Sequence, residues 1–217
     1  MSKKRLFVLV LPFAILFSLL TYEVTASSSS KDNVNLMIVA HPDDESIFAG
    51  NEILNNSYHI VCITNGNNEV RKQEFEKMLE VTGNTGVMLS YPDKTNGERD
   101  DWSSVGSDIE EELNNIIASR EWGKIVTHNP KGEYGHIQHK KTNEIVTKLV
   151  TQQNKDDQLY YFGDYFKAKN EAGHTKTLNK EQSKEKVKLL TVYSSQLKTV
   201  NKLHHILDYE ELVPYQK

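Results

Sequence analysis

From Asn35 onward the chain alternates two apolar patterns. Short, nearly continuous apolar runs are separated by longer stretches in which apolar residues recur every three or four positions. Asn35–Ala40, Tyr58–Thr64, Val87–Ser90, Lys124–Thr127 and Gln158–Phe162 read as strands. Between them, Glu45–Asn55 sets Ile47, Phe48 and Ile53 on one helical face, and Val70–Val81 does the same with Phe75, Met78 and Leu79. Ser107 with Glu110 has the form of a capping box ahead of Ile109, Leu113, Ile116 and Ile117, which predicts a helix to about Arg120. Gln138–Gln152 and one long helix from Lys180 to about Asn201 complete the set. Strands this apolar need cover on both faces, so the expectation is a single α/β domain: a mostly parallel sheet between two helical layers.

Two stretches escape the pattern. Tyr91–Ser107 is polar and carries Pro92, Asp93, Gly97 and Gly106; it reads as a loop that either walls a site at the sheet edge or is a plain surface excursion. Asp164–Thr177, with His174, is equally open.

The start of the chain has a different character. Lys3, Lys4 and Arg5 precede the apolar run Leu6–Leu20, and Val24-Thr25-Ala26 leads into four serines. That layout predicts a secretory signal over residues 1–26 cleaved after Ala26, a polar linker over 27–34 and the folded domain over 35–217. The run is short for a membrane span; an uncleaved anchor is the other reading, and both place the domain outside the cytoplasm. Losing Lys3, Lys4, Arg5 and Glu23 moves the formal net charge from -4 to -6, a poor balance for binding nucleic acid. Cys62 is the single cysteine, so an intrachain disulfide is impossible, and its place in a strand pattern predicts a buried, inert thiol.

Chemistry concentrates in two segments, each directly after a predicted strand. The first is Ala40–Glu45, A-H-P-D-D-E; the second is His128–His139, H-N-P-K-G-E-Y-G-H-I-Q-H. Taken alone, Asp43, Asp44 and Glu45 could do no more than cap a helix amino terminus. Two such clusters at the carboxyl ends of strands point instead to a shared site, because ligands of open parallel sheets gather at that edge. An imidazole beside paired carboxylates supplies what a hydrolytic zinc site uses: nitrogen and oxygen ligands, and a carboxylate to take a proton from water.

These segments resemble those of the LmbE-like or PIG-L N-acetylglucosaminyl deacetylases. The resemblance rests on A-H-P-D-D-E at Ala40–Glu45 and G-E-Y-G-H-I-Q-H at Gly132–His139. T-N-G at Thr64–Gly66, Arg71 with Glu74, and K-V-K-L-L-T-V-Y-S-S-Q at Lys186–Gln196 extend it to about Leu197. It implies a Rossmann-like three-layer fold and a Zn2+ site of His41, Asp44 and His139, another divalent metal being an alternative. It implies Asp43 as general base, and His136, if protonated, as oxyanion stabiliser or acid for the leaving amine. Tyr134 corresponds to a tyrosine near the acyl oxygen and Arg71 to a sugar-contacting arginine; Asn65 is expected at the substrate pocket, and Ser195 and Gln196 as structural support. Many members carry Pro-Asp where this chain has Ile137-Gln138, which removes a carboxylate close to His136. The implied activity is removal of acetyl from an N-acetylated amino sugar or glycan. The competing readings are de-N-acylation of another small amide and a glycan-binding protein without turnover.

Overall fold

The computed structural model describes residues 34–217, so the signal reading and all but the last residue of the linker lie outside the described residues. In chain order the elements are β1 (Asn35–Val39), α1 (Asp44–Asn55), β2 (Tyr58–Thr64), α2 (Glu69–Thr82) and β3 (Thr85–Tyr91). A two-residue pair, β4 (Lys94–Thr95) and β5 (Glu98–Arg99), follows, then α3 (Gly106–Ala118), β6 (Ile125–Thr127), α4 (Ile137–Gln152) and β7 (Leu159–Phe162). The chain ends with α5 (Lys180–Leu190), α6 (Leu197–Lys202) and β8 (Leu212–Pro214). No helix among the described residues is long and apolar enough to cross a membrane.

The main sheet runs β3-β2-β1-β6-β7-β8, parallel except for β8, which is antiparallel to β7. Alternation along β1 builds two cores, since successive side chains of a strand point to opposite faces. Leu36, Ile38 and Ala40 pack with Ile109, Leu113, Ile117, Val146 and Leu149 of α3 and α4. Met37 and Val39 pack with Ile47, Ile53, Phe75, Met78, Leu189 and Leu190 of α1, α2 and α5. Apart from Ala40, each of these side chains contributes roughly 1.5–3 kcal/mol when fully buried. Cys62 lies in the second core, and burial pushes its thiol well above the usual range, as an inert cysteine requires.

Strand order positions the site. From β1 the chain runs outward through β2 and β3, and later returns to place β6 on the other side of β1. The loops after β1 and β6 therefore leave neighbouring carboxyl ends and diverge, opening the crevice where ligands of such sheets bind. In the loop after β2, Gly66 N–H donates to the Leu89 carbonyl at 2.8 Å, and a Cβ there would stand 2.6 Å from that oxygen; the T-N-G segment is thus shaped by backbone contact.

Three expectations need correction, and one strand was not expected. The final helix is not continuous: α5 ends at Leu190, and a turn separates it from α6. Apolar periodicity runs through the break, but the hydroxyls of Tyr193, Ser194 and Ser195 and the Ser195 N–H bond to Glu45 and Glu74 instead of serving a helix. The Ser107–Glu110 capping box does not form; α3 starts at Gly106 with no side-chain cap, and Glu110 pairs with Lys148 at 2.7 Å. The Tyr91–Ser107 stretch is not all loop, because Asn96 and Gly97, at φ 54° and 86°, turn β4 into β5 as a two-residue hairpin. Strand β8 had no expectation at all; its Pro214 is tolerated because it lies at the sheet edge.

Candidate metal centre and active-site cleft

Where β1 ends, the backbone is strained. Asp43 has φ 138° and ψ -26°, a conformation costly for any residue with a Cβ, on the order of 1–3 kcal/mol. Its carbonyl accepts the N–H groups of Ser46 and Ile47, so it starts α1, yet no side chain caps that helix. The carboxylates of the motif are thus not spent on capping. Glu45, 0% exposed, holds the turn: it accepts the Asp43 N–H at 3.1 Å and the hydroxyls of Ser46 and Tyr193 at 2.7 Å each. Burial raises its pKa against those bonds.

Three atoms then converge. His41 Nδ1, Asp44 Oδ2 and His139 Nε2 form a triangle with edges of 3.1, 3.2 and 3.4 Å. Their proton state follows from the outer bonds. The Gln138 amide nitrogen donates to the carbonyls of Pro92 and Asp93, so its Oε1, 2.7 Å from His41 Nε2, must accept a proton from that ring. His139 Nδ1 donates to Glu133. Each ring, when neutral, therefore turns a lone pair toward the Asp44 carboxylate and leaves no proton between the three atoms. Burial lowers the proton affinity of His139, but Asp44 outweighs it and raises it, so a proton and a cation compete for this position. Tetrahedral zinc with ligand bonds of about 2.0–2.1 Å spaces its donors about 3.3 Å apart, so this donor set and its edges fit such an ion.

His136 and His128 also stand close enough to be considered as ligands. His128 Nε2 is committed, because it accepts the Ala40 N–H at 3.0 Å while Nδ1 donates to Glu133. Burial lowers the His128 pKa, but Glu133 and Asp44 outweigh it and push it up to about 9. The second proton that this favours would replace the Ala40 bond with one to Asp44, 3.4 Å away, and in either state Nε2 has no lone pair free for a metal. His136 Nδ1 accepts the Gln138 N–H at 3.2 Å, so a neutral ring carries its hydrogen on Nε2. Burial, with His41 and His139 adding to it, pushes its pKa down to about 3. His136, expected from the sequence as oxyanion stabiliser or, if protonated, as acid, is thus set as a neutral N–H donor.

The carboxylates diverge in the same space. Burial first, then the neighbouring Asp44, pushes Asp43 up to about 8, with Arg71 and His41 opposing. Burial works in the same direction on Asp44 and Glu133 but is overcome. His139 and His41 hold Asp44 well below the usual range, and His128 and His139 bring Glu133 down to about 2. Of these three carboxyls, Asp43 therefore has the highest affinity for a proton.

The cleft holds about 380 Å³ and is lined in part by His41, Asp43, Asp44, Arg71, Tyr134 and His136. Tyr134 is 40% exposed, its ring edge-on to His136 and His139. The Arg71 guanidinium turns inward, donating to the Pro42 carbonyl and lying 3.7 Å from Asp43. Asp93, Lys94 and Arg99 line it from the hairpin segment, and Gln196, Thr199 and Lys202 from α6 and the residue before it. The polar stretch after β3 thus does border the cleft. Asn65 does not line it; its amide donates to the Thr64 hydroxyl. Ser195 supports from behind through Glu74.

Glu133, His128, Glu45 and the contact of Gln138 with His41 are the functional contributions that sequence reasoning missed. For Glu133 a signal existed, since a ligating histidine needs an acceptor for its other nitrogen and this acid lies six residues before His139.

The family described as PIG-L, GlcNAc-PI de-N-acetylase, matches residues 36–150, which hold both motif loops. An uncharacterised protein of Acanthamoeba polyphaga mimivirus is 28% identical over 195 residues, covering 82% of this chain and 78% of its own length. A probable N-acetylglucosaminyl-phosphatidylinositol de-N-acetylase of Schizosaccharomyces pombe is 31% identical over 128 residues, or 53% of this chain and 51% of that protein. Among solved structures, the N,N'-diacetylchitobiose deacetylase of Pyrococcus horikoshii aligns with a TM-score of 0.62 at 17% identity, over 82% of this chain and 76% of that one. The 4-carboxy-2-hydroxymuconate hydratase of Pseudomonas putida aligns with a TM-score of 0.57 at 13% identity, over 80% and 84%. At those identities the alignments speak for the α/β fold, and the last shows that it also hosts other chemistry. With the family match spanning more than half of its length, the chain belongs to the PIG-L (LmbE-like) de-N-acetylase family.

Proposed function

We propose that the protein is a metal-dependent hydrolase that removes acetyl from an N-acetylglucosamine-type amino sugar or glycan. The observation that carries this is the convergence of three lone-pair donors, His41, Asp44 and His139, beside a carboxyl that is not one of them, Asp43. Zn2+ suits the donor set, and a divalent cation held there supplies the charge that acidifies water and polarises an acyl oxygen.

The residues around it have separable tasks. Asp43 takes the proton from the attacking water as oxygen adds to the acyl carbon. Its raised proton affinity then suits passing that proton to the amide nitrogen as the C–N bond breaks, giving acetate and a free amine. His136 Nε2–H faces a developing oxyanion as a neutral donor. Arg71, against Asp43 and Pro42, fixes the direction of the base, and Tyr134 presents a hydroxyl on the open side.

The experiment is acetate release by metal-loaded protein over N-acetylglucosamine, chitin-like oligomers and lipid-linked N-acetylglucosamine, with Asp43→Asn as control. Release from at least one substrate, lost in the variant, supports the reading. Tight glycan binding without release by a fully metal-loaded protein would replace it with a binding function.

The basic and apolar start of the chain supports a further proposal, that the domain works outside the cytoplasm. The mass of protein exported by its native host should match a chain beginning at Ser27. A full-length product held in the membrane would establish the anchor instead, and confinement to the cytoplasm would overturn both.

A further inference from the structure

Gln138 is 0% exposed and bonds in two directions at once. Its Oε1 accepts from His41 Nε2 at 2.7 Å, and its Nε2 donates to the carbonyls of Pro92 and Asp93 at 3.1 Å each. Carbonyl oxygens can only accept, so the amide has one possible orientation. The strand of chain it grips opens the hairpin wall of the cleft. Trp102 Nε1–H donates to the same Pro92 carbonyl at 2.8 Å, Arg99 pairs with Asp93, and Asp93, Lys94 and Arg99 all border the cleft.

We infer that Gln138 is a positioning residue that ties the metal ligand His41 to the 92–99 wall, so that ligand orientation and cleft shape depend on one side-chain amide. The inference rests on the metal-site reading of His41, Asp44 and His139. A carboxylate at 138 could still accept from His41 but could not donate to two carbonyls; it would set a negative charge against their lone pairs. An apolar side chain of equal length would lose both connections. The Ile137-Gln138 departure therefore acts on wall and ligand, and its side chain turns to His41 while its backbone N–H serves His136.

Gln138→Glu and Gln138→Met separate the two connections, both keeping chain length. In Gln138→Glu, amide hydrogen exchange over residues 93–101 should speed up about tenfold or more as the wall loosens, with metal affinity by chelator competition equal to wild type or tighter. KM should rise on the order of tenfold with kcat nearly unchanged, because the wall serves binding. In Gln138→Met, exchange should rise likewise and metal affinity fall on the order of tenfold or more, as for loss of an outer partner to a ligating histidine. Unchanged exchange in both variants overturns the strap, and wild-type metal affinity in Gln138→Met overturns the hold on His41. If wild-type protein binds no divalent metal, the site reading fails. That failure is distinguishable, because the exchange measurement needs no metal.

Discussion

Two buried polar clusters sit along α1, one at its amino terminus and one at its kink, and they are built on opposite principles. At Ala49 the helix departs from helical geometry, with φ -142° and ψ 30°, and frees the N–H groups of Asn51 and Glu52. Glu210 accepts both, at 2.9 and 2.6 Å, and Lys186, 1% exposed, neutralises it at 2.9 Å. Here the carboxylate's acceptors meet donors. At the other end, His41, Asp44 and His139 turn three lone pairs toward each other within 3.4 Å. Burial of charge is common to both; a shortage of protons belongs to one. That shortage, more than the burial or the perturbed pKa values, marks the amino-terminal cluster as a site for a cation, whereas the other is a brace for a broken helix.

The largest effects should separate the clusters outright. His139→Ala removes one of three donors, so metal content, assayed by elemental analysis, should fall to near zero and activity with it. Lys186→Met should do the reverse. It leaves Glu210 buried without its counter-charge, a loss of roughly 3–5 kcal/mol in denaturant unfolding, while the folded protein keeps its metal. If Lys186→Met releases metal without losing stability, the clusters are one system and the contrast fails.

A smaller effect sharpens the division inside the metal cluster. Asp43→Asn keeps shape but cannot accept a proton, so turnover should drop on the order of a hundredfold with metal retained. Asp44→Asn should weaken metal binding. Equal loss of metal in the two variants would make Asp43 a ligand.

The contrast also explains what was legible in the sequence. Elements with their own apolar period were readable, as β2 at Tyr58–Thr64 and α4 near Gln138–Gln152 show. Both motif loops were placed at strand ends, because residue types with shared chemistry recur there. The break after Leu190 was not readable, since it depends on Glu45 and Glu74 reaching across the fold to Tyr193, Ser194 and Ser195. The brace was missed for the same reason: Lys186 and Glu210 look like ordinary surface charges until α1 kinks between them. Gln138 was expected to matter through His136, while its side chain points to His41, a direction set by the Pro92–Asp93 backbone. What sequence supplied was which groups meet; which proton each one holds came from the packing around them.

The smallest effect concerns pH and tests whether Asp43 lives under the strain its burial implies. Its carboxyl is raised to about 8 in the folded protein, chiefly by burial and then by Asp44, against about 3.9 in an unfolded chain. Between those values the folded form holds a proton that the unfolded form has released. The contribution of Asp43 to stability is thus fully present below about pH 4 and is lost as pH rises through 8. Glu133, lowered to about 2, works with the opposite sign: its contribution is present above the unfolded value of about 4.3 and disappears as pH falls toward 2. In chelator-treated protein, Tm should therefore decline from about pH 5 to pH 8 by an amount that Asp43→Asn removes, because the carboxamide does not titrate. A bound divalent cation should flatten the decline as well, its charge favouring the ionised carboxylate. Parallel Tm curves for wild type and Asp43→Asn, both without metal, would mean that Asp43 ionises at no cost in the folded state, and the distinction drawn between it and Asp44 would lose its electrostatic basis.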